Sequence, residues 1–147
     1  METNITMHFT LEEMYASDTA KRLGINNKPS LQQTINLVYL CAYVLEPLRV
    51  AMGKPINISS GFRSQALNKA VGGVYNSQHL KGQAADIDIQ GDMAFGKKIF
   101  DYIRDHLPFD QLIWEHSKSG TYWVHVSFVY TDFGKNRKNV INNLEKK

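Results

Sequence analysis

Ser77-Gln78-His79-Leu80-Lys81-Gly82-Gln83-Ala84-Ala85-Asp86-Ile87-Asp88-Ile89 joins a polar loop to a short, largely apolar run. From Ala84 to Ile89 the pattern is that of a strand, with Asp86 and Asp88 on one face and Ile87 and Ile89 on the other. The apolar face can cover a core while Asp86 turns toward the loop that carries His79. A second imidazole, His125, lies inside another strand-like run, Tyr122-Trp123-Val124-His125-Val126-Ser127-Phe128. Two imidazoles and one carboxylate leave a fourth tetrahedral position open, the ligand set of a hydrolytic rather than a structural zinc site. Spacing alone is weak, because a single His in a strand is more often structural than a ligand; both readings stay open at this point.

Working outward, Asp110 to Glu115 and Tyr122 to Tyr130 read as two strands joined by a Ser-Lys-Ser-Gly turn. Ile56-Asn57-Ile58-Ser59 alternates like a half-buried strand. Thr10-Leu11-Glu12-Glu13 is a capping-box signature that opens a helix through about Leu23, with Gly24 placed to end it. Ser30-Leu31-Gln32-Gln33 repeats the device for a long helix carrying Leu31, Ile35, Val38, Leu45 and Leu48. Pro47 should kink that helix or split off its last turn. Ser64 caps a short helix ended by Gly72-Gly73, and Asp92 starts another that runs to about His106. Helices come first and most strands follow. The expected class is α+β, with N-terminal helices packed on one face of a small, mostly antiparallel sheet and the zinc site on that sheet.

At 147 residues, 43% hydrophobic and 21% charged, the chain fits one domain able to bury a core without disulfides. Residues 1–133 are expected to form that domain and 134–147 a polar, basic, frayed tail. Cys41 lies in an apolar helical run, where a small buried residue is expected. Seventeen Lys and Arg against fourteen Asp and Glu give a net charge of +3. Lys97, Lys98, Lys135, Arg137, Lys138, Lys146 and Lys147 are too sparse for a nucleic-acid-binding stripe and read as solvated surface. No basic stretch followed by an apolar core marks the N-terminus, and no run approaches about 18 consecutive apolar residues. The expectation is a soluble monomer without signal peptide or membrane span.

Four further side chains carry open readings. In the hairpin, His125 shares a face with Trp123 and Ser127, and its cross-strand neighbour is Glu115 or Ile113, depending on register. If Glu115 pairs with Trp123, its carboxylate lies one diagonal step from His125, where a general base is needed; otherwise it is a rim charge. His116 is a competing ligand or a surface residue. Asp88 is either a partner orienting a His ligand or solvated. Arg63 would ordinarily be a solvated residue at a helix start.

Ser59-Ser60-Gly61-Phe62-Arg63-Ser64, Leu67-Asn68, Val71-Gly72-Gly73, Ser77-Gln78-His79-Leu80-Lys81-Gly82, Ala84-Ala85-Asp86-Ile87 and Trp123-Val124-His125-Val126 together resemble the M15 family of zinc peptidases. The resemblance is to its D-alanyl-D-alanine carboxypeptidase-like branch, common in bacteria and phages. It extends upstream through Phe9-Thr10-Leu11, Leu45-Glu46-Pro47-Leu48-Arg49 and Gly53-Lys54-Pro55.

The resemblance implies that His79, Asp86 and His125 hold zinc. It implies that Arg63 stabilises an oxyanion or grips a substrate carboxylate, and that Ser77 and Gln78 contact substrate. The implied activity is hydrolysis of peptidoglycan stem peptides, as a D,D-carboxypeptidase, by a protein released to the cell wall or exported by an unseen route. The alternatives are an endopeptidase, acting as a lysis enzyme or phage-tail component, and a non-catalytic zinc-bearing module of the same fold. One departure matters. Some relatives carry the catalytic Glu three residues before the last His, where this chain has Tyr122, which cannot act as a base near neutral pH. Glu115, at the end of the preceding strand, is assigned that role instead.

Overall fold

The computed structural model describes residues 2–131 and 133–143. The first helical stretch is broken into α1, Leu11–Tyr15, and α2, Asp18–Leu23. Thr10 and Glu13 form the expected capping box, and Gly24 ends α2 in the left-handed region. The continuous helix expected between them fails at Ala16, which is extended. The Met14 carbonyl takes the Phe62 N–H at 2.7 Å, and Ser17 Oγ caps a new start by accepting from Ala20 N. The chain leaves the helix to hold the segment that leads into the site.

Ser30 and Gln33 form the second capping box and open α3, Leu31–Leu40. Pro47 has no N–H to donate, and its ring crowds the carbonyl four residues back. The chain accommodates it with a π-turn, Cys41–Leu45, before restarting as α4, Glu46–Met52. Leu37, Leu40, Cys41, Val44, Leu45 and Leu48 are buried, and burial pushes the Cys41 thiol pKa up. Leu31 is exposed and Ile35 and Val38 are only half-buried, so the core stripe of α3 lies beside the one read from the sequence. By length and composition alone, the stretch Leu31–Met52 could cross a membrane. Its buried residues belong to the same core as the sheet.

That sheet has five strands: β1 Asn57–Ser60, β2 Ala84–Asp88, β3 Gln111–His116, β4 Tyr122–Ser127 and β5 Asn139–Asn142, in spatial order β1-β2-β4-β3-β5. All neighbours are antiparallel except β3 and β5. Helices α5, Gln65–Ala70, and α6, Met93–His106, complete the fold, the latter capped by Asp92 as expected. Ala85, Ile87, Leu112, Trp114, Val124 and Val126 turn to the core, where Ile99, Phe100 and Ile103 of α6 join them. The alternate residues Asp86, Ile113, Glu115, Trp123 and His125 line a cleft. The class is α+β, as the patterning indicates.

Strand β5 departs from the expectation of a frayed tail after Gly134. Asn139–Asn142 pairs in parallel with Gln111–Trp114. A four-residue edge strand with Asn at both ends carries almost no local signal. Its order comes from elsewhere: Asn139 N donates to the Asp110 carbonyl at 2.9 Å, and Arg137 grips the Asp110 carboxylate. The tail positions Lys146 and Lys147 lie outside the described residues.

Candidate metal centre

Register builds the centre. Asp86 stands opposite His125 across β2 and β4, and a shift in β1 between Ile58 and Ser60 sets Ser60 opposite Asp86. His79 arrives from a 3₁₀ turn, Gln78–Lys81, whose end is closed by Gly82 at φ 73°. That backbone also approaches the Gln33 carbonyl so closely that a Cβ would sit 2.5 Å from it, so two constraints favour Gly there. Ser77 Oγ accepts from His79 N, and the His79 carbonyl accepts from Arg63 N at 3.0 Å.

The donor atoms converge. His79 Nε2 lies 3.3 Å and His125 Nδ1 2.9 Å from Asp86 Oδ1, and one ligand atom from each residue lies within 4.8 Å of the others. His79 Nδ1 is 2.6 Å from the Gly61 carbonyl, which can only accept, so the proton sits on Nδ1. With Nδ1 committed to Gly61, Nε2 is the His79 nitrogen that faces the Asp86 carboxylate oxygen. In a neutral ring that nitrogen offers a lone pair, and with His79 only 3% exposed, a cation seated between it and the carboxylate would satisfy both. Ligand bonds of 2.0–2.1 Å give a tetrahedral edge of roughly 3.3 Å, which the His79–Asp86 separation of 3.3 Å matches and the His125–Asp86 separation of 2.9 Å approaches. The residues present fit zinc.

Electrostatics agree. Burial raises the Asp86 pKa, but hydrogen bonds and charge from His125 and His79 outweigh it and hold the carboxyl well below the usual range. Arg63 is held on three sides, Nε by Ser60 Oγ at 3.0 Å, Nη1 by Asn68 Oδ1 at 2.9 Å and Nη2 by Asp86 Oδ2 at 3.5 Å. Burial lowers the Arg63 pKa against the opposing pull of Asp86. Arg63 is thus no solvated helix-start residue.

A cleft of about 710 Å³ brings Arg63, Ser77, Gln78, His79, Asp86, Glu115 and His125 together. Glu115 pairs with Trp123, and Ile113 with His125, which is the register that sets Glu115 one diagonal step from His125. Asn143 Nδ2 donates to Glu115 Oε1. Gln78 Nε2 donates to Asp110 Oδ2 at 3.1 Å. His116 does not line the cleft; its ring lies 5.7 Å from that of Tyr122. Asp88 turns away too, accepting from Gln90 N in the turn that ends β2. The partner that orients His79 is the Gly61 carbonyl.

Sequence reasoning missed Asn27, and it met Asn68 only within the Leu67-Asn68 resemblance, without a role. Asn27, 7% exposed, donates to the Tyr15 and Phe62 carbonyls and accepts from Ser64 N, pinning both ends of the Arg63 segment. Asn68 spans Arg63 and the Val74 carbonyl. Asn27 carries no one-dimensional signal, since it acts on backbone as many as 37 positions away, whereas the partners of Asn68 lie only five and six residues off.

The profile of the family described as Peptidase M15 matches residues 7–127. The chain belongs to that family. It is also similar to a zinc D-Ala-D-Ala carboxypeptidase of Streptomyces albus G, 52% identical over 44 residues, which is 29% of this chain and 17% of that relative. The aligned stretch therefore spans about a sixth of the relative's length. Family membership fits the donor geometry: the cleft holds a three-residue cluster that could bind a metal ion, with the Glu115 carboxylate in the same cleft.

Proposed function

We propose that this protein is a zinc-dependent peptidase that hydrolyses bacterial cell-wall stem peptides, acting as a D,D-carboxypeptidase of the D-Ala-D-Ala type. The observation that carries the reading is the convergence of His79, Asp86 and His125 in one cleft with Glu115. When bound, zinc supplies Lewis acidity that brings the pKa of a water from about 16 toward about 7 and polarises the scissile carbonyl.

The chain's residues do the rest. His79, Asp86 and His125 hold the ion, with His79 kept in the ligating tautomer by Gly61. Glu115 accepts the proton of the attacking water and returns it to the departing amine. Arg63, immobilised by Ser60 and Asn68, offers its fixed charge to the oxyanion that develops on the carbonyl. Ser77 and Gln78 border the substrate, and their hydrogen bonds to the His79 backbone and Asp110 keep that border in place.

The test is digestion of purified cell wall, with fragments weighed by mass spectrometry. Chelator-sensitive release of single terminal D-Ala residues supports the carboxypeptidase. Release of longer peptides instead assigns an endopeptidase with the same machinery. No metal-dependent release of either kind rejects the proposal and favours a binding module.

A further inference from the structure

We propose that Arg137, beyond the stretch matched to the family, is a specificity-determining residue that receives a carboxylate of the peptide substrate. The substrate class rests on the peptidase reading above; the placement of the arginine does not.

Arg137 reads in the sequence as one more surface cation, yet it lines the same cleft as the metal ligands. It is held there. Its Nε and Nη2 each bond an oxygen of Asp110 at 2.9 Å, and its backbone N bonds Oδ1 at the same distance. Asp110 is 3% exposed and also takes the Gln78 amide, so the clamp is anchored in the core and tied to the residue beside His79. The Arg137 side chain remains 61% exposed, and its Nη1 has no partner among the described residues. Arg63 differs: all three of its nitrogens are engaged. The cleft thus holds one arginine enclosed beside the candidate metal ligands and another that is mostly exposed, with Nη1 unengaged among the described residues.

Position along β3 sets what the outer arginine can meet. Gln111, Ile113 and Glu115 line the cleft at alternate positions, and His125 lies opposite Ile113. Glu115 is at one end of this row, the metal ligands at its middle, and Asp110 with Arg137 at the other end. Three strand steps from Asp110 to Ile113 cover roughly 10 Å, the reach of one to three peptide residues once side chains lean inward. A guanidinium pre-oriented by one carboxylate, exposed and with N–H groups to spare, is suited to a second carboxylate. The same segment touches the proposed base through Asn143, so it borders the reaction site at two points.

The experiment measures binding through intrinsic tryptophan fluorescence, to which Trp123 in the cleft contributes, in zinc-loaded Glu115→Gln protein, which leaves peptide intact. The probes are N-acetylated Lys-D-Ala-D-Ala and its C-terminal amide, and a stem peptide with a free γ-linked D-Glu α-carboxylate and its amidated counterpart. The first pair reports a terminal carboxylate and the second an interior one. The acid of at least one pair should bind about ten- to a hundredfold tighter than its amide. Adding Arg137→Gln should bring that ratio near one while the amide's affinity and the zinc content hold, and Arg137→Lys should restore part of it. An unchanged ratio, a parallel loss for acid and amide, or no preference in either pair overturns the proposal. Wild-type turnover is assayed alongside. Its absence with an Arg137-dependent ratio refutes the peptidase and keeps this inference, whereas turnover without such a ratio does the reverse.

Discussion

Asp86 and His125 are a directly opposed cross-strand pair, with Asp86 Oδ1 2.9 Å from His125 Nδ1. The pairing makes a candidate metal corner out of two ordinary strands. Because side chains alternate, a slip of one residue would turn Asp86 into the core and Ile87 toward the cleft. The apolar residues Ala85, Ile87, Val124 and Val126, all fully buried, therefore fix the ligand geometry from the opposite face.

Glu115→Ala separates holding the metal from using it. Glu115 lies in the cleft but outside the three-residue cluster. Zinc content, measured on purified protein, should stay at the wild-type level while turnover falls about 10²- to 10⁴-fold. Loss of zinc in this variant would make Glu115 a ligand.

Gly73→Ala should disturb Arg63 without touching the ligands. A Cβ there would lie 2.1 Å from Asn68 Oδ1 and 2.7 Å from Arg63 Nη1. The clash displaces the guanidinium from its seat. Turnover should drop about a hundredfold, the scale of losing one oxyanion donor, with zinc content unchanged. Activity at the wild-type level would show that Arg63 is not needed where it sits.

Asp110 makes acid sensitivity specific. Hydrogen bonds from Arg137 outweigh burial and hold its carboxyl below the usual range. A depressed folded pKa contributes stability above the unfolded value of about 3.9, and this is lost as pH falls through the folded pKa. Asp110→Asn should therefore be less stable than wild type at neutral pH. The gap in urea midpoint should close below about pH 4. A gap independent of pH would mean that packing, not charge, is what the substitution removes.

Leu45→Ala tests the central helix. Leu45 is fully buried in the π-turn that relieves Pro47. Truncation should cost about 2–5 kcal/mol in chemical unfolding, by lost transfer energy and the cavity left behind. A cost under about 1 kcal/mol would mean that the turn repacks.

Much of this was visible in the chain. Thr10 with Glu13, Ser30 with Gln33, Ser64 and Asp92 cap helices where local chemistry says they should. His79, Asp86, His125, Arg63 and Glu115 do share one cleft. What stayed hidden was non-local. The break at Ala16 depends on Phe62 reaching the Met14 carbonyl, and Asn27 acts on residues as many as 37 positions away. Strand β5 is weak in pattern because its partners, not its side chains, order it. Arg137 looked like solvated charge because its partner, Asp110, lies 27 residues earlier. Asp88 has the right alternation for the site but sits where β2 ends, so its carboxylate caps a turn.

The most direct test is zinc X-ray absorption on the wild type and on single Ala variants of the three donors. The account predicts one zinc per chain with two imidazole nitrogens at about 2.0–2.1 Å and oxygen filling the remaining positions. It also predicts one imidazole fewer in His79→Ala and His125→Ala, and altered oxygen ligation in Asp86→Ala. A zinc spectrum identical in wild type and all three variants would place the ion elsewhere and contradict the account.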